Sequence, residues 1–105
     1  MKWLCTLIFS FLLTYTQAQT AVYKTFSELD SFLNNTNDTL YIINLWATWC
    51  KPCIEELPYF EQVNTTFANK NVRVILLSVD AESRWESNLE PFLKNKPLTC
   101  DVWSI

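Results

Sequence analysis

The chain has 105 residues and a formal net charge of −3; half of its residues are hydrophobic, 15% aromatic and 18% charged. This is the composition of one small packed domain rather than a disordered segment, and with no basic excess a nucleic-acid partner is not expected. His and Gly are both absent, which excludes imidazole base catalysis, His-ligated metal sites and glycine-dependent phosphate loops or dinucleotide fingerprints.

Residues 1–18 read as a secretory signal peptide. Lys2 supplies a positive start, residues 3–15 are apolar apart from Thr, Ser and Cys5, and Thr16 and Ala18 place small residues at the −3 and −1 positions of a cleavage site. The competing reading is a membrane anchor, but about thirteen residues at about 1.5 Å each fall short of a hydrocarbon core about 30 Å thick. Cys5 lies inside the apolar run and leaves with the signal. Residues 19–105 then form one domain, exported to a periplasmic or other extracytoplasmic and oxidising compartment, with no stable membrane span after cleavage. It carries Cys50, Cys53 and Cys100.

Along this domain, residues 21–23 are a short apolar stretch. Thr25 and Glu28 form a capping box ahead of Phe26, Leu29 and Leu33 at helical spacing, which predicts a first helix to about Asn34. Polar turn residues follow. Residues 40–46 are a nearly continuous apolar run rich in β-branched and aromatic side chains, the pattern of a strand buried on both faces. Residues 52–68 predict a second helix with Leu57, Phe60, Val63 and Phe67 inward and Pro58 inside it. Residues 72–79 repeat the buried-strand pattern. Residues 80–96 predict a third helical stretch, regular only from Ser87 or Asn88, where Pro91 falls in or next to the first turn. Strand, helix and strand make a parallel βαβ unit with a right-handed crossover, so the fold class is α/β.

The chemistry is concentrated where the first buried strand meets the second helix, in Trp46-Ala47-Thr48-Trp49-Cys50-Lys51-Pro52-Cys53. Two cysteines separated by two residues at a helix start can close a small disulfide ring. The first thiol gains from free backbone N–H groups and the positive end of the helix dipole. Cys50 is therefore the attacking nucleophile, and Cys53, one turn further on, resolves the mixed disulfide. Pro52 suits the first turn because its missing N–H would have had no helical partner. A CxxC alone is also half of a zinc site, so that alternative stands at this point.

The segment 44–53, followed by Glu55-Glu56-Leu57-Pro58, resembles the thioredoxin superfamily, and closely its exported TlpA/ResA-like thiol:disulfide reductases. The resemblance is specific over residues 40–80 and looser over 23–96. It implies a central sheet flanked by helices, a redox dithiol at Cys50 and Cys53, and a helix kink at Pro58. It further implies a disulfide- or thiol-containing protein substrate, a membrane thiol electron donor, and no cofactor or metal. Glu56 matches the acidic residue that this branch carries near its thiols. Cytoplasmic thioredoxins place a buried aspartate where this chain has Asn44, and an amide cannot exchange protons near neutral pH. Glu56 is then the candidate acceptor of the Cys53 proton, while Glu55, about 100° around the helix, reads as solvated.

Supporting residues read more plainly. Trp49 shields the thiols and offers a surface to substrate, Trp46 is core, and Lys51 adds a small positive influence on Cys50. Cys100 reads as a buried apolar residue in a further strand. The superfamily fold continues with a hairpin, a last helix and a cis-proline loop, whereas this sequence stops at Ile105, so a partial thioredoxin-like domain is expected. Its 72–79 strand would have an uncovered edge and its stability would be marginal. Pro97 reads as a helix stop rather than the cis-proline. The alternatives are a peroxiredoxin-like peroxidase, which would need Thr where Ala47 stands, and a non-catalytic zinc or binding module, which would need carboxylates to complete its ligands.

Overall fold

The computed structural model describes residues 21–35 and 37–105. The expected signal peptide and Cys5 lie outside them. Four strands and three helices follow in order: β1 (Val22–Tyr23), α1 (Phe26–Leu33), β2 (Leu40–Trp46), α2 (Lys51–Thr66), β3 (Val72–Ser78), α3 (Glu90–Asn95) and β4 (Asp101–Ser104). All pairings are parallel and the strand order is β1-β4-β3-β2. The strands therefore all end on one side of the molecule, which is where α/β proteins place their chemistry.

The local signals act as expected at α1. The Thr25 hydroxyl accepts from the Glu28 N–H while the Glu28 carboxylate accepts from the Thr25 N–H at 2.7 Å, a complete capping box. Its Leu29 and Phe32 cover one sheet face, against Ile75, Leu77 and Trp103. On the other face, Trp46, Leu57, Val74, Leu76, Leu89, Leu93 and Val102 form the larger cluster beneath α2 and α3. Successive β3 residues thus enter opposite clusters, and the strand is apolar throughout because both of its faces are covered.

Three expectations are corrected. The strand at Leu40–Trp46 is not buried on both faces: it is an outer strand, and Leu45 is 61% exposed. Among the described residues β2 forms one edge of the sheet and the two-residue β1 the other, and β3, expected at the edge, lies between β2 and β4. Phe67, expected inward, is 43% exposed because the helix ends at Thr66 and its cap turns the chain away. The third helical stretch is split into a 3-10 turn at Glu82–Arg84, a π turn at Trp85–Leu89 and α3, which begins with Pro91 in its first turn. Proline tolerates only that position without losing a helical bond. Pro97 follows the end of α3, and no described peptide bond is cis.

Candidate active site

Cys50 occupies the N-cap of α2 in an extended conformation, and no side chain caps the helix there. The turn into it is closed by the Cys50 N–H donating to the Ala47 carbonyl at 3.1 Å, and the first helical bond runs from the Ile54 N–H to the Cys50 carbonyl. The Cys50 and Cys53 sulfurs are bonded, with Cα atoms 5.2 Å apart. Both residues are half-buried, and Cys53 packs against the cluster containing Trp46 and Leu57. The first N–H groups of the helix have no partner within it, so they and the dipole favour negative charge at its start. Whichever sulfur carries charge near that end is stabilised.

Around the pair, Trp49 is 71% exposed and Trp46 is 1% exposed, so one indole faces solvent beside the sulfurs and the other is core. Lys51, Pro52, Glu55, Glu56 and Pro58 are all exposed. Glu56 stands three residues after Cys53 on α2, about one turn along the same face. Asn44 lies on β2 in register with Leu76, and its amide nitrogen is buried without a hydrogen-bond partner among the described residues.

Cys100 takes no part in the Cys50–Cys53 bond. It is fully buried ahead of β4 and its Sγ sits 3.7 Å from the Phe60 carbonyl oxygen. Burial pushes this thiol well above the ordinary cysteine range, and the Glu61 carboxylate adds to the shift. It is a poor nucleophile in the folded chain.

One residue of the site escaped the sequence reading. Asp80, assigned there to a helical stretch, is fully buried just past the end of β3. Its carboxylate accepts from the Thr48 N–H at 3.0 Å, the Thr48 hydroxyl at 2.5 Å and the Ser78 hydroxyl at 2.6 Å. The available signal was a carboxylate directly after a strand buried on both faces, a place where a charge must find donors.

A cavity of about 450 Å³ opens at the ends of β1 and β4, between Tyr23, Phe26 and Trp85, and no described cysteine lines it. Among the described residues no three Cys, Asp or Glu side chains gather as metal ligands, and no helix is long and apolar enough to cross a membrane.

The parallel sheet with helices on both faces, and a cysteine pair bonded across the first turn of the helix that leaves β2, define a thioredoxin-like fold. The chain belongs to the AhpC/TSA family, whose sequence profile matches residues 14–104. It is similar to thioredoxin-like protein YneN of Bacillus subtilis (strain 168), 30% identical over 79 residues that cover 75% of this chain and 46% of that one. It is also similar to thiol-disulfide oxidoreductase ResA of Oceanobacillus iheyensis, 33% identical over 61 residues, 58% of this chain and 30% of that one. A crystal structure of a candidate thiol-disulfide oxidoreductase from Bacteroides vulgatus superposes with a TM-score of 0.56 at 28% identity, over 64% of this chain and 45% of that one. The chain spans less than half the length of these relatives.

Proposed function

We propose that the protein is an exported thiol:disulfide oxidoreductase that reduces protein disulfides, with residues 1–18 removed as a signal peptide. The observation that carries this reading is the Cys50–Cys53 pair closed across the start of α2, with Cys50 at the N-cap. In the reduced form the Cys50 thiolate attacks one sulfur of a substrate disulfide; a mixed disulfide forms and the first substrate thiolate leaves. Cys53 then loses its proton to Glu56 and attacks the Cys50 sulfur. The second substrate thiolate is released, the Cys50–Cys53 bond forms, and two electrons have passed to the substrate. A thiol donor at the membrane restores the dithiol by the same exchange in reverse.

Each remaining residue has a part in this sequence. Trp49, exposed beside the pair, offers a flat apolar surface to an incoming polypeptide, and Lys51 adds positive charge next to Cys50. Pro52 stiffens the ring between the sulfurs, and Pro58 removes one helical hydrogen bond within α2. The test is insulin reduction with dithiothreitol as donor, alongside hydrogen peroxide consumption under the same conditions. Insulin reduction that disappears in Cys50→Ser supports the proposal; peroxide consumption without insulin reduction replaces it with a peroxidase.

A further inference from the structure

We infer that Asp80 is a positioning residue for Cys50, acting through Thr48 to hold the nucleophile at the helix start while the dithiol is reduced; the inference rests on the thiol:disulfide reading above.

The strands β2 and β3 end together, with Trp46 in register with Ser78 and the Val79 N–H donating to the Trp46 carbonyl at 2.8 Å. Asp80 lies just beyond this junction and is fully buried. One side chain holds both donors of Thr48, its hydroxyl on Oδ1 and its N–H on Oδ2, and the Ser78 hydroxyl donates to Oδ2 as well. The carboxylate is fixed in turn, because the Asp80 N–H donates to the Ser78 hydroxyl oxygen at 3.1 Å and the Trp85 indole N–H donates to the Asp80 carbonyl at 3.0 Å. Trp85 is itself braced by Tyr23 of β1, their rings stacked 3.9 Å apart.

Burying a carboxylate is expensive unless donors surround it, and an apolar pair of similar volume would join two strand ends at lower desolvation penalty. Stability alone therefore gives little reason for the arrangement. What it accomplishes is local. Thr48 is the second residue of the turn that the Cys50 N–H closes onto Ala47, so clamping Thr48 fixes the peptide that leads into the N-cap. In the oxidised chain the bond to Cys53 already fixes the Cys50 sulfur. Once that bond opens, the sulfur is held against the helix N–H groups only by its backbone, and the Asp80–Thr48 clamp sets that backbone. Its effect is thus greatest in the reduced form, where the thiolate is the reacting species.

The test follows alkylation of the reduced protein by iodoacetamide near neutral pH, with Cys50 modification resolved by mass spectrometry. Thr48→Val removes the hydroxyl and keeps the carboxylate; Asp80→Asn keeps the shape and removes the charge; Thr48→Ser keeps both hydrogen bonds. Each variant is first shown to unfold cooperatively. Thr48→Val and Asp80→Asn should each slow Cys50 alkylation by about threefold or more, the size expected from losing a helix-end interaction, and Thr48→Ser should match the parent. A parent-like rate in Thr48→Val overturns the inference. So does a faster rate in Asp80→Asn, since removing a nearby negative charge with no clamp involved would favour the thiolate. The readout needs no substrate, so failure to reduce insulin removes the functional proposal and leaves this result to be judged separately.

Discussion

Glu61 of α2 and Cys100, 39 residues apart in the chain, are joined by the Cys100 N–H donating to the Glu61 carboxylate at 2.9 Å. The Thr99 N–H and hydroxyl donate to the other oxygen at 2.7 and 2.6 Å. One side chain thereby fastens the approach to β4 onto the helix that carries the cysteine pair. Burial pushes the Glu61 carboxyl up, but these hydrogen bonds outweigh it and hold the group below the ordinary carboxylate value.

A group whose pKa is depressed on folding contributes stability above its unfolded value, about 4.3, and loses that contribution as pH falls through the lower folded value. Glu61→Gln should therefore destabilise the protein at neutral pH, by less than about 1 kcal/mol because solvent screens this half-buried group. The gap to the parent should close below pH 4. Urea titrations at both pH values check this, and a pH-independent difference would count against the carboxylate as its origin.

Cys50 should react before Cys53. In the reduced protein iodoacetamide should label Cys50 first, Cys50→Ser should form no mixed disulfide with substrate, and Cys53→Ser should trap one. Cys100, buried with its thiol pushed up, should be labelled only after denaturation. Equal labelling of Cys50 and Cys53 would remove the assigned order.

Glu56→Gln should slow resolution of the mixed disulfide by about tenfold or more while leaving first attack by Cys50 nearly unchanged, as expected for loss of a positioned base. Rapid-quench separation of the two steps measures this. If both steps stay at the parent rate while Asn44→Asp alters them, the proton goes to the strand position instead.

Leu57→Ala should destabilise the domain by about 3 kcal/mol, because Leu57 is fully buried beneath α2 and its removal leaves a cavity there. Phe67→Ala, at a 43% exposed position just past the same helix, should change stability far less. Similar losses from the two would mean that the end of α2 packs more tightly than its exposure implies.

What the chain showed of itself in advance was mostly local. The Thr25–Glu28 box, the run at Leu40–Trp46 and the Cys50–Cys53 spacing at a helix start each involve neighbours a few residues apart, and each is found at those residues. The strand order was not legible, because a parallel sheet is assembled entirely from distant pairings: Val22 beside Trp103, Ile75 beside Asp101. For the same reason the open edge was assigned to β3, whose continuous apolar sequence in fact reflects a central position. Asp80 was hidden for a related cause. Its partner Thr48 is 32 residues away, and by composition alone a carboxylate after a strand is indistinguishable from the first turn of a helix.

The cysteine bond of α2 spans a sequence separation of only three residues. A cross-link that short removes little chain entropy from the unfolded state, on the order of 2 kcal/mol against nearly 5 for a loop of about a hundred residues. Opening and closing it therefore shifts the folding equilibrium less than a long-range cross-link would, and most of that equilibrium is carried by the two apolar clusters on either side of the sheet. By linkage that difference of about 2 kcal/mol enters the potential of the two-electron couple as about 40 mV, and the atoms at the helix start set the rest.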